Sequence, residues 1–500
     1  MHSFLEEDTN LNIIEPCIFV VFGATGDLTK KRLLPALYNL GLEGLLPSNF
    51  ACISFARKEK DNVQFRKEIE EYIKTYNSEK SFDKAFFSKF KERFFYFQSE
   101  YTQDEDYDKF NSYLKNLDAQ FNTRGNRVFY LATPPKHFPL ILEKLSNHSL
   151  LKETNKTFSR VIIEKPFGHD FTSAENLQKH IQNFADEDQI FRIDHYLAKE
   201  AIQNLLVFRF TNSIFNSIWN NKHINHVQIS FAETIGVEGR GMFFEEQGTL
   251  RDIVQNHMMQ VLSLVAMEPP SSFSAEDIQK EKLKVIQSIK PLTNFDQIAI
   301  RGQYDEGYIN GKKVSSYQKE ENVSLSSNTE TFVALKLELN NKRFQNVPFY
   351  IRAGKHLPKQ SSEIAIIFKD CFTNISSHPN SKNVLVIRIQ PDEGIALKVN
   401  TKIPGQEMQS QPVKMDFNYG SYFGRKSPDA YQRLIRDCIL GDHTLFTTSE
   451  EVLASWKLLT PLLDHWKNNK ADFPNYSSGT WGPKASDDLM KKDNKQWRVL

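Results

Sequence analysis

Four cysteines in 500 residues, Cys17, Cys52, Cys371 and Cys438, lie far apart with no CxxC pair and no regular spacing. That scarcity excludes a disulfide framework and a zinc site of ordinary ligand spacing, and it fits a reducing compartment. No metal is expected. There is also no run of about 18 apolar residues that would cross a bilayer as a helix, and Met1 to Asn10 is polar and acidic without the apolar core of a signal peptide. The expected location is cytoplasmic. Charge of one sign is missing too: 63 Lys and Arg against 62 Asp and Glu leave a net charge of +1. Without a global field there is no reason to expect a nucleic-acid or membrane partner, so an anionic ligand must be met by a local cluster of cations. With 21 Gly, 20 Pro, 40% hydrophobic and 25% charged residues, disordered and fibrous classes drop out.

What is present is length enough for about three domains, or two large ones. Cys17 to Phe22 is a continuous apolar run, which suits a parallel strand covered on both faces. A tight turn and a helical pattern from Asp27 follow it, with a stop near Gly41 and Gly44. Apolar runs at Ala51–Ala56, Val128–Ala132 and Val161–Ile163 alternate with helical stretches such as Asn62–Tyr76, the rhythm of a doubly wound α/β sheet. After about residue 194 the texture changes. Helical stretches at Asp194–Phe208 and Gly248–Met267 bracket alternating segments at Val227–Ala232, Phe332–Leu339, Glu363–Phe368 and Val384–Gln390, and the alternation predicts one wet or partner-covered face. Helix periodicity returns at Pro428–Cys438 and Glu450–Trp466. The second half reads as α+β, with Thr401–Pro412 as its clearest surface loop.

Gly23-Ala24-Thr25-Gly26-Asp27-Leu28 stands where a strand hands over to a helix, the place where backbone N–H groups and the positive helix end hold a pyrophosphate. It is not a full G-x-G-x-x-G, and an ordinary tight turn has the same look. The next strand ends in Arg57-Lys58, where a guanidinium would accept a 2′-phosphate and favour NADP over NAD. A solvated basic pair is the plain alternative. Thr133-Pro134-Pro135, closing another strand, reads on its own more as a loop than as a site.

Arg192-Ile193-Asp194-His195-Tyr196-Leu197-Ala198-Lys199-Glu200 reads as the opening of a helix. His195 and Lys199 then share one face near its positive end, a seat for a phosphate or a surface pair. Asp194 has the bland reading of an N-cap. His257 lies beside the apolar stripe of the Gly248–Met267 helix, either as a satisfied core histidine or as a base able to take a hydroxyl proton near neutrality. Lys165 ends a buried strand, on the side where an open α/β sheet meets its ligand, although a snorkelling surface lysine is the default reading.

Taken together, G-A-T-G-D-L, E-K-P-F-G, R-I-D-H-Y-L-A-K-E, E-G-R-G and R-D-I-V-Q-N-H resemble the glucose-6-phosphate dehydrogenase family in order and spacing. The resemblance runs from about Pro16 through Pro270, resumes at Val347–Lys355 and continues to W-G-P near residue 482. It implies a Rossmann-type domain over 1–193 and a larger α+β domain over 194–500, whose big, mainly antiparallel sheet makes a dimer contact. It also implies oxidation of β-D-glucose 6-phosphate to 6-phospho-D-glucono-1,5-lactone with NADP, the first step of the oxidative pentose phosphate pathway, by a homodimer or homotetramer. His257 matches the family's general base and Asp194 the carboxylate that orients it. His195, Tyr196 and Lys199 match the phosphate seat, and Glu233, Asp252 and Lys355 match further substrate contacts. Lys165 matches the lysine touching both substrate and cofactor. Gly23, Ala24, Thr25, Gly26, Asp27, Leu28, Arg57, Thr133 and Pro134 fall in the cofactor-binding stretches. By the same resemblance, the peptide before Pro166 is expected to be cis. Gln360 stands where the family has a second cation, with Lys359 one residue early. Arg388 matches one position of a second, structural NADP found in some members. The lumenal members' extra lactonase domain has no room in 500 residues. The rival readings are an NADP oxidoreductase for another sugar and a non-catalytic sensor of NADP or sugar phosphate.

Overall fold

The computed structural model describes residues 14–77, 81–370, 382–407, 409–424 and 427–500. Met1 to Asn10 and Cys371 lie outside the described residues. The chain divides into two units. The first comprises the chain through Lys165 with Asn176–His195 and Asp429–Thr447, and the second comprises Pro166–Glu175, Tyr196–Pro428 and Thr448–Leu500.

The first unit is a Rossmann-type doubly wound sheet. Its strands are β1 (Cys17–Phe22), β2 (Phe50–Ala56), β3 (Phe94–Gln98), β4 (Arg127–Leu131), β5 (Ser159–Ile163) and β6 (Ile190–Ile193). They run parallel in the order β3-β2-β1-β4-β5-β6, and the short strand Phe446–Thr447 adds antiparallel to β6. Every residue of β1, β2 and β4 is buried, as continuous apolar runs require when helices cover both faces. The strand order reverses between β1 and β4, which opens the ligand crevice at their carboxyl ends.

The second unit is built on an eight-stranded sheet. Its order is Ser410–Asn418, Gly394–Lys402, Val384–Gln390, Ser361–Phe368, β7 (Ile224–Ala232), Phe349–Gly354, Phe332–Leu337 and Ala299–Gly302. All its pairings are antiparallel except that of β7 with Phe349–Gly354. Tyr304, Tyr317, Phe332, Tyr350 and Trp497 belong to one of its apolar clusters.

Four local expectations are corrected. Residues 195–199 form a turn, and the helix starts at Glu200 with Lys199 as an extended N-cap (φ −71, ψ 137). The turn closes through the Lys199 N–H on the Tyr196 carbonyl at 3.1 Å, so His195 and Lys199 do not share a helix face. Glu363–Phe368, expected to have one wet or partner-covered face, lies in the strand Ser361–Phe368, whose eight residues are all buried, so neither face is wet. Thr401–Pro412 is loop only in part, since Thr401–Lys402 pairs with Ser410–Gln411 and Pro412 pairs with Asn400. Among the described residues the cis peptides are Gln390–Pro391 and Phe473–Pro474, and Lys165–Pro166 is not one of them. That is the ordinary state of an X-Pro bond.

Candidate active site

The first unit's site grows from the end of β1. Gly23 takes φ +85°, and a Cβ there would meet the Ala132 carbonyl oxygen at 2.4 Å, so the turn admits only glycine. Its carbonyl accepts the Gly26 N–H at 3.0 Å and the Thr29 hydroxyl at 3.2 Å. Helix begins at Asp27 and includes a π segment over Thr29–Leu33, which aims a positive helix end at the turn. Ala24 is buried, Thr25, Gly26 and Leu28 are half-buried, and the exposed Asp27 pairs with Lys31 at 2.8 Å. Tyr101 joins this corner. Burial raises its pKa, while the Arg57 charge and the Gly23 backbone pull it back.

Thr133, across from Gly23 at the end of β4, is buried, and its Oγ1 has no hydrogen-bond partner among the described residues. An orphaned hydroxyl beside a backbone cradle that a Cβ would fill is what a dinucleotide phosphate completes, so these residues fit NADP. Pro134 is exposed and opens the following turn.

At the end of β5, Glu164 is half-buried and accepts the Tyr130 hydroxyl at 2.5 Å. Burial pushes its carboxyl up to about 7, against the opposing pull of Tyr130, Lys165 and Tyr431. A folded carboxyl at about 7, set against an ordinary 4.5, holds its proton where the unfolded chain has lost it. Stability therefore falls as pH rises through that window, by about 3 kcal/mol at most. Glu164→Gln, which imitates the protonated form, is expected to gain stability over the parent at about pH 8.5 and to match it at about pH 4.5. Urea midpoints at the two values check this, and a constant difference would contradict it.

Asp194 is buried and His195 half-buried at the end of β6, where the His195 ring lies parallel to Tyr431 at 6.4 Å. One residue pair upstream, the buried Arg192 guanidinium binds Glu187 at 2.5 and 2.9 Å and Gln178 at 2.6 Å. This fork fixes the strand end that presents Asp194.

In the second unit Tyr196 is the hub. Its ring stacks on Phe231 of β7 at 4.6 Å and lies 4.5 Å from the His257 ring, and the Lys199 ammonium sits 5.4 Å above it. Gln390 donates to its hydroxyl at 3.2 Å. His257 is only 3% exposed and stands, with Asp252, on a π-helix over Leu250–Met258. Such wide turns gather at functional sites. At the carboxyl end of β7, the buried Lys355 ammonium pairs with Glu233 at 2.6 Å. The strands present both residues, since the Glu233 N–H bonds the Gly354 carbonyl at 3.0 Å. Lys359 is exposed and Gln360 half-buried. Arg388 is committed to Asp416 at 2.7 Å.

The structure thus brings Tyr196, Lys199 and His257 into one cluster and Glu233 and Lys355 into another. Sequence reasoning missed Tyr101, Phe231, Gln390 and the hydrogen bond from Tyr130 to Glu164. Only Glu164 carried a signal, as the acid directly before Lys165.

Two family descriptions match the chain: "Glucose-6-phosphate dehydrogenase, NAD binding domain" over residues 20–204, and "Glucose-6-phosphate dehydrogenase, C-terminal domain" over residues 206–498. The chain is similar to glucose-6-phosphate 1-dehydrogenase of Chlamydia muridarum, with 48% identity over 507 residues covering 100% of both chains. It is similar to that of Chlamydia pneumoniae, with 50% identity covering 97% of this chain and 96% of the relative. A solved structure of glucose-6-phosphate dehydrogenase in complex with its substrate glucose-6-phosphate superposes with a TM-score of 0.89 and 37% identity, covering 97% of this chain and 99% of the other.

Proposed function

The chain belongs to the glucose-6-phosphate dehydrogenase family, and from that premise we propose that it oxidises β-D-glucose 6-phosphate to 6-phospho-D-glucono-1,5-lactone with reduction of NADP. It is an oxidoreductase acting on a CH–OH group, and NADP, when bound, supplies the carbon that accepts hydride from C1. The observation that carries this reading is the near full-length superposition on a structure that holds the sugar phosphate.

Residue roles follow from the chemistry. Hydride leaves C1 readily only as the hydroxyl proton departs, and His257 is assigned as the base that takes it, with Asp194 as its carboxylate partner. His195, Tyr196 and Lys199 hold the phosphate. Glu233, Asp252 and Lys355 orient the sugar hydroxyls, and Lys165 serves both substrate and cofactor. The Gly23–Leu28 turn, Thr133 and Pro134 hold the pyrophosphate side of NADP, and Arg57 its 2′-phosphate. Residues 1–193 are assigned to nucleotide binding, and residues 194–500 to substrate binding and to assembly as a homodimer or homotetramer, read out by light scattering. Free thiols at Cys17, Cys52 and Cys438 support a cytoplasmic location.

Initial rates of nicotinamide reduction with glucose 6-phosphate, galactose 6-phosphate and glucose test the reading. Glucose 6-phosphate is expected to dominate; equal rates would favour another sugar oxidoreductase, and no reduction at all would favour a sensor. Arg57→Ala is expected to raise KM for NADP about tenfold or more and leave KM for NAD within about twofold, since only NADP carries the phosphate that the guanidinium meets. Equal changes with both cofactors would remove that assignment.

A further inference from the structure

The helix that carries Asp252 and His257 does not begin with a cap of its own. The preceding helix, Gly241–Thr249, breaks at Gly248 (φ 62, ψ 175), and the π segment restarts at Leu250 with no side-chain cap from its own N-terminal residue. The first amides of a helix have no partner within it. Here a remote segment supplies one: the Thr249 N–H bonds the Glu330 carbonyl at 3.0 Å, and the Leu250 N–H bonds the Glu330 side-chain Oε1 at 2.9 Å. Glu330 is 6% exposed, and a Cβ on Gly248 would stand 2.4 Å from that same Oε1. The missing side chain at Gly248 therefore makes the slot that the carboxylate fills.

The next residue extends the link. Thr331 is fully buried, and its carbonyl accepts the Lys355 N–H at 3.0 Å, while the Tyr476 hydroxyl bridges Thr331 Oγ1 at 3.0 Å and the Lys355 carbonyl at 2.8 Å. One dipeptide thus grips the start of the helix bearing the base and the backbone of the sugar-side lysine.

We propose that Glu330 is a positioning residue for the oxidation of glucose 6-phosphate: from outside the helix it caps the segment that presents Asp252 and His257 and registers it against Lys355. The inference rests on the proposed role of His257. Reach, rather than charge, is what the cap needs, because an amide oxygen at the same distance also accepts the Leu250 N–H.

Three variants separate these terms. Glu330→Ala removes the acceptor and is expected to lower kcat/KM for glucose 6-phosphate about tenfold, the loss a helix cap of ordinary strength gives. KM for NADP, held by the other unit's turn, is expected to stay within about twofold. Glu330→Asp keeps the charge but withdraws it by one methylene, and is expected to fall with alanine. Glu330→Gln is expected to rescue the rate to within about twofold of the parent. Amide hydrogen exchange over residues 249–258 supplies a readout apart from turnover, rising in the alanine and aspartate variants and not in glutamine. Full activity in the aspartate variant, or a loss in glutamine as deep as in alanine, overturns the proposal; because neither of these variants empties the slot as alanine does, both tests survive a folding failure of the alanine variant. A parent that fails to oxidise glucose 6-phosphate overturns the functional reading instead, and the exchange pattern then reports on the cap alone.

Discussion

His257→Asn is expected to lower kcat for glucose 6-phosphate oxidation by about 10²–10⁴-fold, the usual contribution of a positioned general base. KM for both substrates is expected to stay within about threefold, because an interaction realised only as the proton leaves stabilises the transition state and not the bound substrate. The geometry favours a clean comparison. The imidazole is 3% exposed, its ring lies 4.5 Å from that of Tyr196, and its backbone N–H is held by the Asn256 side chain at 2.6 Å. Asparagine fills much of that space without offering a base near neutrality. Steady-state kinetics with both substrates varied provide the check, and a large rise in KM with kcat intact would reassign His257 to binding.

Lys199→Ala is expected to raise KM for glucose 6-phosphate about 10- to 100-fold, as the loss of one charge-assisted bond to a phosphate predicts. The phosphate is remote from C1, so kcat is expected to move far less. The Lys199 ammonium lies above the Tyr196 ring at 5.4 Å, and its backbone caps the helix that starts at Glu200. Alanine keeps that backbone and removes the ammonium with its aliphatic stem and its contact with Tyr196. Free glucose, which has no phosphate to lose, is the control, since its weak turnover should be unaffected by the substitution.

Much of the first unit was legible because each of its rules is local. The apolar run Cys17–Phe22 is β1, residue for residue, and Asn62–Tyr76 is a helix over that same span, begun by Asp61 accepting the Gln64 N–H. The block around Asp194–Lys199 shows where local reasoning failed. Its spacing suits a helix, yet the chain leaves β6 and turns through the Tyr196 carbonyl before Lys199 can cap one. Alternation left a wet face open at Glu363–Phe368, where both faces are covered. Within the candidate site, the residues that bear charge or glycine stood out in the sequence. Those that act through packing did not: Phe231 under Tyr196, Tyr130 and Tyr431 around Glu164, and Glu330 at the head of a helix some 80 residues before it. No periodicity records a partner that distant.

The short strand Phe446–Thr447 and the helix Ala430–Leu440 complete a unit whose other members all precede residue 196. On the ribosome, the backbone groups along the outer side of β6 therefore wait unpaired while the whole intervening stretch is made. At about 5–20 residues per second that delay amounts to some tens of seconds. A nascent chain in that interval offers a bare sheet margin to any neighbouring strand. A fragment ending near residue 195 would carry the same vacancy permanently, so aggregation is the fate to expect of it, and a fragment rejoined to residues 429–447 by a linker is the form to express instead.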